Sequence, residues 1–236
     1  DYPTDTWRHL LALTTEANAS GSQLFPQVSS RPIGLATGLS GYHAFQRRPT
    51  YMRLAGLALH ERVKEMAKPE VKAAILSETD VAVAEPGSMA NIFNLFLMAA
   101  PVIYPLADPV DYEPEMSMCL GARAAATGDD ILSVMYDFLL EQDGASMGAI
   151  MGGVDVHQSQ EVIREMLVHP ATVTGLSDAG AHVTLICDAS MPTTQLTYWA
   201  RDRRRGERIP IEFLVHKQTA RNARLYGLDD RGTLAP

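Results

Sequence analysis

Ser177, Asp178 and His182 share the short stretch Thr172-Val-Thr-Gly-Leu-Ser-Asp-Ala-Gly-Ala-His-Val183. A carboxylate flanked by a hydroxyl and followed by an imidazole can hold a metal ion, carry a proton or activate water. A β-branched run ends at Gly175, and the small residues after Asp178 leave open space before its carboxylate. That is how a buried strand delivers an acidic side chain to the rim of an α/β sheet or barrel. An Asp capping the next helix and a satisfied loop histidine give the same pattern, and residue types alone leave both accounts open. A metal-free hydrolase using Ser177, Asp178 and His182 is the weakest account. No GxSxG elbow is present, and three near neighbours in sequence rarely form a working triad.

A second candidate group is Gln27, Ser30 and Arg31, at the carboxyl end of a strand predicted over 23–29. Loop polarity and surface charge explain these residues as well as a substrate site does. The acidic residues Asp108, Asp111 and Glu113 lie in a Pro-rich segment without an EF-hand pattern and read as solvated. His60 and Glu61 fall on a helix face and read as solvated too. The histidines are His9, His43, His60, His157, His169, His182 and His216, and no two lie at the short spacing that puts a pair on one strand or helix face. HExxH and CxxC are absent.

The elements that must position these residues alternate between helix and strand. An amphipathic helix is predicted over 5–20, capped by Asp5 and stopped by Gly21; the strand over 23–29 follows, and Ser30-Arg31-Pro32 opens a long glycine-containing loop. Helical spacing returns over 51–66 and 69–77, with Pro69 near the second start. Residues 40–110 thus read as an insertion beyond a minimal repeat, a lid or substrate-shaping segment on one account and plain surface decoration, at least as common, on the other. The Met/Phe-rich segment 88–100 reads as core. Helices follow over 116–127, stopped by Gly128, and over 131–142, capped by Asp129 and ended by Asp143-Gly144. A Gly/Met-rich strand over 145–154, a helix over 159–168 and the strand before Asp178 come next. Two further helices close the chain, one from Met191-Pro192 to Arg205 and one from Ile209-Pro210 to Gly227.

Gly-Leu-Ser-Asp-Ala-Gly-Ala-His, with Thr219-Ala-Arg-Asn-Ala and Tyr226-Gly-Leu-Asp-Asp-Arg-Gly-Thr-Leu-Ala-Pro, resembles the end of an amidohydrolase-superfamily barrel. The D-aminoacylase (N-acyl-D-amino-acid deacylase) branch is the most similar. The resemblance implies an α/β fold, the C-terminal portion of a TIM-like (β/α)8 metal-dependent hydrolase barrel with helical insertions. It implies that residues 1–236 are a single domain fragment running from about strand six to strand eight plus the final helices. It implies hydrolysis of the amide bond of an N-acyl (D-)amino acid or related amide. Asp178 would be metal ligand and proton shuttle; Ser177 would orient it, His182 would donate to substrate or to Asp178, and Arg31 would pair with a substrate carboxylate. The cofactor implied is a divalent metal, zinc by expectation, as one or two ions. The family's His-x-His pair is missing from this sequence, so most ligands are expected upstream of Asp1. An incomplete barrel sheet has open edges; the expected partner is therefore the N-terminal half of the same protein or another copy. The alternative is a catalytically silent barrel fragment that acts as a binding or scaffolding subunit.

Composition agrees with a folded domain: 46% of the 236 residues are hydrophobic and 20% charged. A net charge of −8 argues against nucleic acid or an anionic membrane as partner. The basic run 201–208 contains Asp202 and Glu207 and reads as a solvated helix end. Cys119 and Cys187 read as buried free thiols. The longest apolar run, 92–107, is broken by Asn94, Pro101 and Pro105 and is too short to span a bilayer. A cytoplasmic location is the expectation, with the reservation that a chain beginning without Met could lack an upstream targeting signal.

Overall fold

The computed structural model describes residues 5–82, 85, 88, 93–152, 159–175, 177, 185–186 and 188–234. Its helices are α1 (Thr6–Ala19), α2 (Pro49–Leu54), α3 (Leu59–Met66), α4 (Pro69–Ser77), α5 (Phe93–Met98), α6 (Leu120–Thr127), α7 (Ile131–Leu140), α8 (Glu161–Val168), α9 (Met191–Thr197), α10 (Ile211–Gln218) and α11 (Ala220–Leu225). Its strands are β1 (Gln27–Val28), β2 (Ile33–Gly38), β3 (Ile103–Pro105), β4 (Met147–Gly152) and β5 (Val173–Thr174). The chain divides into two units, one of Asp1–Ile33, Gly152–Gly180 and Asp188–Pro236, the other of Gly34–Met151 and Ala181–Cys187.

The first unit is built on a parallel pair, β1 and β5, with Gln27 opposite Val173 and Val28 opposite Thr174. The ladder extends beyond both: Val173 donates its N–H to the Pro26 carbonyl at 3.0 Å, and Gly175 donates to the Val28 carbonyl at 2.8 Å. Val28 packs in a buried cluster with Ile163, Leu167, Trp199, Ile209 and Leu214. Ile163 and Leu167 are one turn apart on α8, so a single stripe of that helix supplies both. Arg8 ties α1 to α8 through Glu165, at 2.9 and 2.7 Å.

The second unit holds the three-stranded sheet β2-β4-β3, in which β3 and β4 are antiparallel. Gly148 lets Phe138 and Ile103 approach β4 closely; a Cβ there would lie 2.7 Å from Ile103 Cγ2. On β2, Leu35 bridges to Ile186 and the Ala36 N–H reaches the Leu185 carbonyl at 2.8 Å. Helices α2 to α7 enclose a core that includes Phe45, Tyr51, Met66, Phe96 and Tyr136. Inside it the Tyr136 hydroxyl donates to the Met66 carbonyl at 2.8 Å, while at the surface Lys72 of α4 pairs with Asp137 of α7 at 2.7 Å.

The helix predicted over 69–77 is α4 itself, and those over 5–20, 116–127 and 159–168 are present with shorter ends. The segment 51–66 is two helices, since the first stops at Leu54 before Gly56 and the second starts at Leu59. The last helix also breaks, at Thr219, whose φ of −115° and ψ of −88° lie outside the helical region. The strand expected over 23–29 is only Gln27–Val28, while Ile33–Gly38, read as loop because of its glycines, is a strand. Asp130, not Asp129, caps α7, its Oδ1 accepting from the N–H groups of Leu132 and Ser133 at 2.9 and 3.3 Å. Cys119 is buried and free, and caps α6 by accepting from the Ala122 N–H at 3.4 Å. Residues 40–110 fall within the second unit. The described strands form two sheets of two and three strands, not a closed barrel.

Candidate active site

Parallel strands send their carboxyl ends in one direction, so the residues after β1 and after β5 emerge at the same end of the first unit. Ser29, Ser30 and Arg31 follow β1; Gly175 and Ser177 follow β5. Gly175 lies against β1 without a side chain, and a Cβ there would meet the Val28 carbonyl at 3.3 Å. The carboxyl edge of an open α/β sheet is where loops carry binding and catalytic groups.

The β1 side of this rim is fixed by α9 and the π-helical turn after it, Tyr198–Asp202. The Ser30 hydroxyl donates to the Met191 carbonyl at 2.7 Å, and Trp199 Nε1 donates to the Ser30 carbonyl at 2.6 Å. Arg31 is buried beside them. Its Nη1 donates to Asp188 Oδ1 and to the Pro32 carbonyl, both at 2.8 Å, and its Nη2 donates to Ser190 Oγ at 3.2 Å. The guanidinium expected to meet a substrate carboxylate is thus held on a carboxylate of its own chain. Arg203 is equally buried, 4.8 Å above the Trp199 ring, with Nη1 on Glu161 Oε1 at 2.7 Å and on the Glu207 carbonyl at 2.8 Å.

Of the residues singled out from the sequence, Arg31 and Ser177 stand at the same end of the β1–β5 pair, Ser177 half-buried. Asp178 and His182 lie outside the described residues, as does Cys187. Asp188, Ser190 and Trp199 were not singled out. Arg31 and Asp188 are 157 positions apart, and nothing local in the chain marks them as a pair.

Among the described residues no three His, Cys, Asp or Glu side chains come together as metal ligands. The described donors therefore do not by themselves make a metal cage, although amidohydrolases generally bind divalent metals. No helix among the described residues is long and apolar enough to cross a membrane.

A mixed α/β unit with a parallel strand pair and polar residues at its carboxyl end is compatible with part of a hydrolase domain. Residues 13–236 match the family model of the amidohydrolases, and the chain belongs to the amidohydrolase family. No curated protein and no solved structure matches it significantly.

Proposed function

We propose that this chain forms the C-terminal part of a metal-dependent amidohydrolase that cleaves the amide bond of an N-acyl amino acid, of the D series in the closest reading, or a related amide. The observation that supports this most is the register of β1 with β5, combined with membership of the family. It sends the segment leading to Asp178 and the segment carrying Ser30 and Arg31 to one end of the sheet. In this reading Asp178 is a metal ligand and moves the proton during hydrolysis, Ser177 orients it, and His182 donates to substrate or to Asp178. A divalent metal held there, zinc in this reading, would polarise the amide carbonyl and lower the pKa of water bound to it. Arg31 would meet a substrate carboxylate only by exchange with Asp188, which now holds it. Further ligands would come from the N-terminal half of the same protein or from another copy.

The test is Asp178→Asn in the native assembly, assayed on N-acyl-D- and N-acyl-L-amino acids with the metal content measured. Turnover is expected to vanish with the fold intact and with less metal retained; unchanged turnover removes the reading.

A second reading, a catalytically silent part that scaffolds a barrel, draws on the smallness of the β1–β5 sheet. Among the described residues these strands pair only with each other, and two strands are marginal without further support. Both readings need another polypeptide. A soluble monomer of residues 1–236 that unfolds cooperatively would count against that requirement.

A further inference from the structure

Lys217 is 1% exposed, yet no carboxylate among the described residues pairs with it. Its Nζ donates to the Thr172 carbonyl at 2.8 Å and to Thr172 Oγ1 at 2.9 Å, which engages two of its three N–H groups. Thr172 immediately precedes β5, so this ammonium sits at the opposite end of the strand from Ser177. Arg221 of α11 comes to the same place. One of its terminal nitrogens donates to the Pro170 carbonyl, and its Nε is buried without a partner. His169, in the turn between α8 and β5, accepts from the Ala171 N–H through Nδ1 at 3.2 Å. In its neutral form its proton therefore lies on Nε2, as a donor.

Three nitrogen-bearing side chains from α10, α11 and the α8–β5 turn thus share one corner of the first unit, and among the described residues Lys217 and Arg221 donate there only to carbonyl and hydroxyl oxygens. The carboxyl end of α10 adds partial negative charge. Partial charges do not neutralise a full cation, and the buried Lys217 ammonium is costly unless an opposite charge answers it. We propose that Lys217, Arg221 and His169 form a binding site for an oxyanion, a phosphate or carboxylate group, at the amino end of β5.

The titration behaviour of the corner agrees. Burial, then repulsion from Arg221, brings Lys217 down to about 8. Burial, then Lys217 and Arg221, hold His169 below its usual value, and burial lowers Arg221. Each group is penalised for its charge, as expected where the counter-charge has not been supplied.

The experiment titrates the full chain with inorganic phosphate at constant ionic strength set by chloride, following the His169 ring by NMR across pH and the thermal midpoint. Phosphate is expected to act saturably, moving the His169 titration to higher pH and raising the midpoint. Arg221→Gln, at a half-exposed position that tolerates change, is expected to weaken binding by about tenfold, the loss of one charge-assisted contact. Lys217→Met is expected to do the same or more. Acetate in a parallel titration separates a carboxylate source from a phosphate one, and saturable binding of either supports the site. The proposal is overturned if neither anion moves His169 beyond the chloride control, or if Arg221→Gln responds as the parent does.

Discussion

Arg31 Nη1 lies 2.8 Å from Asp188 Oδ1, and both side chains are 2% exposed. A buried pair of this kind contributes little net stability, yet losing one partner strands the other charge away from water. Asp188→Asn or Arg31→Met alone is therefore expected to cost about 3–5 kcal/mol, measured by urea unfolding. The double change Arg31→Met with Asp188→Leu removes both charges at similar volume and is expected to recover most of that loss. The double variant also tests the substrate role of Arg31. A rise in KM for carboxylate-bearing amides in a well-folded double variant supports that role; an unchanged KM assigns the pair to structure alone.

The cap of α7 gives a sharper comparison between two adjacent acids. Asp130 satisfies two N–H groups at the start of the helix, whereas Asp129, next to it in sequence, caps nothing. Asp130→Ala is expected to lower stability by about 1 kcal/mol. Asp129→Ala is expected to stay within about 0.5 kcal/mol of the parent, as an exposed surface change does. Equal losses from the two would mean that the helix begins one residue earlier.

That one-residue error shows where sequence reasoning reached and where it stopped. Helix periodicity is a local signal, so α4, α8 and the alanine-rich α6 could be read directly, as could the left-handed glycine ending α6, Gly128, with φ of +77°. Strand pairing is not local. Gln27 meets Val173 across most of the chain, and β2 carries three glycines or alanines that look like loop until a neighbouring strand is known. The Ser177 side of the carboxyl rim was legible because the β-branched run Thr172-Val173-Thr174 ends in Gly175 and small residues; on the Arg31 side only Val28 and the serines after it gave a local signal. The partners of that rim were not legible. Asp188 and Trp199 reach Arg31 and Ser30 only after α9 has packed, and no spacing rule links residues so far apart.

His43 is fully buried in the second unit and stands edge-on to the Tyr51 ring at 4.4 Å. Its Nδ1 accepts from the Phe45 N–H, and Arg62 bonds to the Tyr51 hydroxyl alongside. Burial, then the charge of Arg62, pushes the imidazole down to about 3 from its ordinary 6.5. The unfolded chain takes up this proton as pH falls through 6.5, while the folded chain stays neutral down to about 3. Stability from this group is therefore complete above 6.5 and is lost between 6.5 and 3, at up to about 1.4 kcal/mol per pH unit. His43→Phe keeps a ring against Tyr51 and removes the proton. The difference in denaturation midpoint between pH 7 and pH 4.5 is expected to shrink in that variant, and an unchanged difference would assign the acid sensitivity to carboxylates instead.

Gly144 closes the turn after α7, with φ of +80°, following Gln142 and Asp143 at φ of 54° and 55°. Two demands meet at this position. The left-handed conformation disfavours any Cβ by roughly 1–2 kcal/mol, and a Cβ would also lie 2.5 Å from Val63 Cγ2 and 3.2 Å from Leu59 Cδ1 on α3. Gly128 supplies the control, because its φ is +77° but an added Cβ meets nothing within 4 Å. Gly128→Ala is expected to cost about 1 kcal/mol from backbone strain alone. Gly144→Ala is expected to cost about 2–4 kcal/mol, since overpacking against α3 adds to the strain. Shortening the obstacle with Val63→Ala should return part of that loss in the Gly144→Ala background, and a double-mutant cycle by urea unfolding reads the coupling directly. Strict additivity would show that α3 moves aside freely and that the glycine is required by its backbone conformation only.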